Sequence, residues 1–185
     1  VLADEMGVSI AMGKHYNLPV FGMCGCTDSK VLDHQAGAEV VFSMLFALLA
    51  GGNINHDLGF MDAGLQYSFQ LLAMCNEHLG FLRAATAGVP VGNEDFALDV
   101  VEELGATGDY LAHEHTLANF RKAYSSKLVD KAVYSQWEKR GATTMEQRAA
   151  KWVDKILAEH EPPCLPEDIQ RDIHAIVERE LERVS

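Results

Sequence analysis

The chain has 185 residues, with 48% hydrophobic and 23% charged content, which is ordinary for a soluble globular domain with a sizeable core. Its net charge of −12 argues against a nucleic-acid partner, since phosphate binding needs a basic face, and accords with a cationic ligand or partner. The longest apolar run, Val40 to Ala50, is too short to span a bilayer, and no secretory leader pattern is visible; no membrane association and a cytoplasmic location are expected.

The four cysteines, Cys24, Cys26, Cys75 and Cys164, lack the spacing of a small disulfide scaffold and are read as reduced thiols. The sequence opens at Val1, inside what reads as a helix from Leu2 to Tyr16, as a C-terminal portion of something longer would. Asn17-Leu18-Pro19 ends that helix. Pro19 to Met23 fits a short buried strand, and a polar loop runs from Cys24 to Asp33. Gln35 to Leu49 is apolar on almost every face and suits a helix packed between a sheet and its neighbours. Gly51-Gly52 stops it, and Asn53 to Leu58 is the second candidate strand.

Gly64 to Leu82 reads as a long helix with Leu65, Phe69, Leu72, Leu79 and Leu82 as its buried stripe. Pro90 and Gly92 break the pattern. Asn93 is placed to cap a helix over Asp95 to Leu104, which Gly105 and Gly108 end. A short helix from His115 to Tyr124 follows; Thr116 as its cap explains the His113-Glu114-His115 cluster without chemistry. The remainder is helical: Ala132 to Arg140 with Trp137, Thr144 to Glu159 with Trp152, and a terminal amphipathic helix opened by Pro166. Ile169, Ile173, Ile176, Val177 and Leu181 form its apolar side.

Strands joined by a helical crossover pair in parallel with right-handed topology. That puts the loops after both strands at one sheet edge, where α/β folds bind ligands. Asp28, Lys30, Asp33, Asn53, Asn55, His56 and Asp57 are then expected to converge. Two strands do not make a stable parallel sheet alone, so further strands must come from other sequence or a partner chain. The bland alternatives are an ion-paired loop for Asp28, Lys30 and Asp33, a core histidine for His56, and core packing for Phe60, Tyr67 and Phe69. Cys24-Gly25-Cys26 with His56 lacks the usual zinc spacing and has no second cysteine pair, so no metal site is expected.

Gly25-Cys26-Thr27-Asp28-Ser29-Lys30, then Asp33, Gln35-Ala36-Gly37 and Glu39, resemble the trimethylamine methyltransferase family. So do Asn53-Ile54-Asn55-His56 with Gly59 and Gly64, Glu114-His115-Thr116 before Phe120-Arg121, Trp137 before Gly141, and Pro162 and Leu165 in the tail. The resemblance covers nearly the whole chain and corresponds to roughly the C-terminal two fifths of a typical member. It implies the C-terminal part of a TIM (β/α)8 barrel, with residues 1–90 as the last βα units and 91–185 as a mostly helical extension. It implies transfer of a methyl group from a methylated or quaternary amine, such as trimethylamine or glycine betaine, to the Co(I) of a corrinoid (cobamide) carried by a partner protein. Founding members carry pyrrolysine; with standard residues only, the chain is grouped with the glycine betaine-type members. A homo-oligomer is expected. The alternative is a non-catalytic amine-binding fragment or structural remnant that associates with the corrinoid protein.

Methyl transfer from a quaternary nitrogen releases a neutral amine and needs no obligatory acid or base, so no catalytic residue is assigned. Placement and water exclusion carry the reaction. Aromatic faces and diffuse negative charge bind quaternary ammonium, which points to Phe21, Phe60 and Tyr67 as substrate-binding residues together with Asp28. Lys30 or His56 would take a donor carboxylate, and the amides of Asn53 and Asn55 would orient it.

Overall fold

The computed structural model describes residues 2–184. Helix α1 (Leu2–His15) closes where Asn17 turns left-handed (φ 55°) and the Leu18 amide donates to the Gly13 carbonyl at 2.9 Å. Strand β1 (Phe21–Met23) follows. Helix α2 (His34–Ala50) starts at Asp33, whose carboxylate accepts from the Ala36 amide at 3.1 Å. That bond satisfies one of the orphan donors of a helix start, and it holds the Asp33 carboxyl below its usual range. Gly51 ends α2 in the left-handed conformation (φ 72°), its amide bonded back to Ala47 and Leu48, as a side-chain-free residue permits.

Strand β2 (Ile54–His56) pairs in parallel with β1, in the register Phe21 with Ile54, Gly22 with Asn55 and Met23 with His56. The expected α/β order is therefore observed, with both strand ends at one edge. The strands are shorter than their apolar runs. At the entry the Asn53 side-chain oxygen, not backbone, accepts from the Val20 amide at 2.9 Å.

The twofold alternation of a strand puts Phe21, Met23, Ile54 and His56 on one face and Gly22 and Asn55 on the other. Helix α1 crowds the second face. A Cβ built on Gly22 would lie 2.5 Å from the Met6 methyl, so a larger residue would push α1 away. The first face is open, with Phe21 65% and Ile54 60% exposed. The main core fills the space between α2 and helix α3 (Phe69–Thr86) with Val40, Met44, Ala47, Leu71, Cys75 and Leu82, closed by Cys24 and Met61.

The expected helix over Gly64 to Leu82 is corrected at both ends. It starts at Phe69 and runs to Thr86. The Ser68 hydroxyl accepts from the Leu71 amide at 3.1 Å and fixes the start. The preceding residues form a small antiparallel hairpin, β3 (Phe60–Met61) against β4 (Gln66–Tyr67). Asp62, Ala63 and Gly64 turn it with φ of 51°, 52° and 85°. Of the expected buried stripe, Leu65 is exposed in that hairpin and Phe69 and Leu72 are exposed on α3, whose buried face is Leu71, Met74, Cys75 and Leu82. Leucines at helical spacing hid a turn made mostly of non-glycine left-handed residues, which are uncommon outside Asn and Asp.

The helix expected over Asp95 to Leu104 is two pieces, α4 (Asn93–Phe96) and α5 (Leu98–Leu104), divided at left-handed Ala97. Gly92 holds the cap position, and its amide donates to the Asp95 carboxylate at 2.8 Å; the Asn93 side chain expected to cap lies outside the described residues. The next helix, α6 (Glu114–Asn119), is capped by His113, whose Nδ1 accepts from the His115 amide at 3.1 Å. Thr116 instead donates its hydroxyl to the Tyr110 carbonyl at 2.6 Å. Helices α7 (Tyr134–Lys139), α8 (Met145–Glu159) and α9 (Glu167–Val184) complete the chain.

The contacts divide the chain into residues 1–153 and 154–185, so position 90/91 falls inside the first unit. A second apolar cluster of the first unit joins Ala73 and Met74 of α3 to Leu128 and Ala149. In the second unit, Ile169, Ile173, Ile176, Val177 and Leu181 of α9 are exposed. Among the described residues no helix is long and apolar enough to cross a membrane.

Gly59 supplies a direct test of this folding logic. It is buried, with φ 92°, and an added Cβ would meet Leu72, the Ser68 carbonyl and the Tyr67 ring, all at 3.2 Å. Gly59→Ala is expected to cost about 2 kcal/mol in urea unfolding, from left-handed strain plus crowding. An unchanged midpoint would show that this turn relaxes freely.

Candidate active site

The segments after β1 and β2 are laced together by backbone bonds. The Cys24 amide donates to the His56 carbonyl, Gly59 to Gly25 and Thr27 to Phe60, each at 3.0 Å, and Asp62 donates to Ser29 at 3.2 Å. Gly25 makes the bend possible with φ 71°. Leu58 and the Cys75 thiol pack against it, at 3.0 and 3.4 Å from where its Cβ would lie. The two polar segments singled out in the sequence thus share one rim.

Between them lies a cavity of about 440 Å³. Met23, Cys26, Thr27 and Asp28 line it from the β1 side, and Asp57, Phe60, Ala63 and Gly64 from the β2 side. Its charged lining residues are two carboxylates, Asp28 and Asp57. A third carboxylate stands behind them. Glu39 of α2 accepts the Thr27 hydroxyl at 2.6 Å and the Asp28 amide at 2.8 Å on one oxygen, and the Gln35 amide group at 2.9 Å on the other. Burial pushes the Glu39 carboxyl up, but these bonds outweigh it and hold the group below its usual value. Glu39 therefore stays ionised and fixes the Thr27-Asp28 wall from inside.

Asp57 sits in the left-handed region, φ 71°. Its carboxylate bonds His56 Nδ1 at 2.7 Å, and the His56 ring stacks on Phe21 with centroids 4.0 Å apart and planes 14° from parallel. A strained strand-end residue braced by its neighbour is a common feature of functional loops. The thiols nearby are held neutral. Burial, followed by the Asp57 charge, pushes Cys26 up; burial also takes Cys24 to about 11 and Cys75 to about 12. None offers a thiolate nucleophile near neutral pH.

Of the residues expected from sequence, Asp28 and Phe60 line the cavity. Tyr67 packs edge-on against Phe60 at 5.0 Å and Phe69 at 5.6 Å. Phe21 and His56 form the stacked pair on the open sheet face. Lys30 pairs with Asp62 at 3.2 Å and donates to the Asp28 carbonyl at 2.8 Å. Asn53 completes the strand entry. The Asn55 side-chain oxygen lies close to Gly22 and Gly52, on the face opposite His56. Asp33 belongs to the α2 cap. Sequence reasoning placed Asp57 in the converging set without a binding role, and gave no role to Met23, Cys26 or Glu39. Position 57, directly after the strand-end His56, was the available signal.

Two parallel βα units with an acidic, partly aromatic cavity at their carboxyl ends define an α/β architecture with its candidate site at the strand ends. Residues 3–185 match the family model described as Trimethylamine methyltransferase (MTTB), and the chain belongs to that family. It is 33% identical over 167 residues to the trimethylamine methyltransferase MttB of Desulfitobacterium hafniense, covering 90% of this chain and 34% of that protein. It is 30% identical over 174 residues to a glycine betaine methyltransferase of the same species, covering 93% and 36%. The trimethylamine methyltransferase MttB2 of Methanosarcina mazei is 29% identical over 181 residues, covering 96% and 37%. The chain spans about a third of the length of these curated relatives.

Proposed function

We propose that the chain supplies one wall of the methyl-donor site in a methyltransferase that moves a methyl group from a methylated or quaternary amine to the Co(I) of a partner's corrinoid. The observation that carries this reading is the cavity wall of Asp28, Asp57 and Phe60, which offers negative charge and an aromatic face to a cation. Family membership supplies the methyl-transfer chemistry. The two parallel βα units are read as the closing part of a (β/α)8 barrel, with Phe21, Met23, Ile54 and His56 facing its interior. A cytoplasmic homo-oligomer is the proposed setting.

In this reading the corrinoid is a co-substrate that accepts the methyl group by in-line displacement at carbon. The residues here hold the donor. Asp28 and Asp57 neutralise its charge, Phe60 packs on its methyl groups, and Glu39 keeps the Thr27-Asp28 wall in place. A quaternary donor leaves as a neutral amine, so no side chain needs to move a proton. Orientation within a site that excludes water is the contribution asked of the protein.

The test is cobalamin spectroscopy on the full-length protein with trimethylamine, tetramethylammonium or glycine betaine and Co(I)-cobalamin. Methylcobalamin formation with at least one donor is expected. Saturable donor binding without conversion would overturn this reading in favour of an amine-binding remnant. Lys30 adds a finer test. Its ammonium rests on Asp62 and is the group proposed to take a donor carboxylate. Lys30→Ala is expected to raise KM for glycine betaine about tenfold, the loss of one exposed charge-assisted bond, and to leave tetramethylammonium unaffected. Equal effects on both donors would remove that role.

A further inference from the structure

A pair of adjoining cavities lies in residues 127–148. One, of about 340 Å³, is lined by Lys127, Lys131, Arg140 and Arg148, with Asp130 as its acidic lining residue. The other, of about 360 Å³, is lined by Tyr134 and Trp137. The two share Asp130, Ala132 and Arg148. In a chain of net charge −12 with 15 Lys and Arg, four cations around one hollow are a local reversal of sign. Four cations against the single carboxylate of Asp130 leave the hollow with an excess of positive charge, which raises the local concentration of anions.

The frame of this region is fixed. Arg148 Nε donates to the Leu128 carbonyl at 2.7 Å, and Nη1 bonds the Thr143 carbonyl. Buried Glu77 binds the Ser126 hydroxyl and the Lys127 and Leu128 amides, so its charge is already satisfied beneath the cationic wall. Trp137 Nε1 donates to the Thr143 carbonyl at 3.0 Å, which holds the indole as a rigid platform. Tyr134 lies beside it at 5.6 Å, tilted by 48°. A planar ring gains stacking on the indole face and a tilted contact from Tyr134, and a phosphate gains charge-assisted bonds from Lys and Arg.

We infer that the adjoining hollows form a binding site for an organic phosphate bearing a planar ring, with the phosphate at Lys131 and Arg140 and the ring at Tyr134 and Trp137. The site is independent of the amine cavity, and its test reads binding, not methyl transfer. Calorimetric titration of the full-length protein would use adenosine monophosphate, adenosine and inorganic phosphate in turn. Adenosine monophosphate should bind saturably, and the other two about tenfold or more weakly, since each keeps half of the contacts. Lys131→Gln with Arg140→Gln should weaken adenosine monophosphate about tenfold and leave adenosine unchanged. Trp137→Leu should weaken both adenosine ligands and leave phosphate unchanged. Circular dichroism checks that each variant is folded. No saturable binding up to about 10 mM, the weak end of specific recognition, would overturn the proposal. So would inorganic phosphate binding as tightly as the nucleotide, or an affinity that ignores all three substitutions.

Discussion

Asp57→Asn in the full-length protein is expected to raise KM for a quaternary amine about tenfold while leaving kcat undiminished. The carboxylate is one of two that line the cavity. A unit charge about 4 Å away is worth up to about 4 kcal/mol at the effective dielectric of a protein surface. Solvent screening and the remaining Asp28 reduce this to about 1.4 kcal/mol, a factor of ten. The substitution is conservative where it must be. Asn tolerates the left-handed φ of 71° at this position, and its side-chain oxygen can still accept from His56 Nδ1. Only the charge is lost.

The division between KM and kcat follows from the chemistry. In the proposed reaction a quaternary donor is a full cation in the ground state and becomes a neutral amine as the methyl group departs. A carboxylate therefore favours the bound donor at least as much as the transition state, and its removal raises KM without lowering kcat. Asp28→Asn should act in the same direction, because Glu39 holds residue 28 through its backbone amide and not through its carboxylate. The double substitution should exceed either alone. A fall in kcat at unchanged KM would overturn the assignment of these carboxylates to cation binding.

The part of this site legible in the sequence was the part encoded locally. Apolar runs ending in Gly25-Cys26-Thr27-Asp28 and Asn55-His56-Asp57 marked the strand ends, and the intervening helix forced the parallel pairing observed. That pairing alone puts Asp28 and Asp57 at one rim. The hairpin was not legible, because Asp62 and Ala63 turn left-handed without glycine, and Leu65, Phe69 and Leu72 imitate a helical stripe. The Ser68 cap was present in the letters but was outweighed by that spacing. Glu39 was seen as part of a motif, yet its function depends on the fold bringing the Thr27 hydroxyl, 12 residues away in sequence, to 2.6 Å from its carboxylate. Glu77 was invisible for a stronger reason. A glutamate within a helix reads as solvent-facing, and its partners lie at positions 126–128.

Glu77→Ala is expected to destabilise the protein by about 3–5 kcal/mol, the cost of leaving several buried donors without their charged acceptor. Glu77 is 3% exposed. One carboxylate oxygen accepts the Ser126 hydroxyl, the Lys127 amide at 2.7 Å and the Leu128 amide at 2.8 Å, and the Glu77 backbone carbonyl accepts the Tyr124 hydroxyl at 3.2 Å. Alanine would strand three buried or half-buried donors, each costing about 1–3 kcal/mol. It would also loosen Leu128, whose side chain belongs to the second apolar cluster with Met74 and Ala149. Glu77→Gln, which keeps an acceptor but not the charge, should cost less. The pH dependence has a definite sign. Burial pushes the Glu77 carboxyl up, but the Leu128 amide, Ser126 hydroxyl and Lys127 amide and charge together hold it below the ordinary value of 4.5. A carboxyl lowered on folding contributes stability that is fully present above its unfolded pKa and is lost as pH falls through its folded one. Urea midpoints should therefore decline below about pH 4.5 in the parent chain and decline less steeply in Glu77→Gln, which has no carboxyl to titrate. A Glu77→Ala midpoint equal to the parent's would mean that the segment from Tyr124 to Lys131 holds its place without the carboxylate, and that the basic hollow built on it has another foundation.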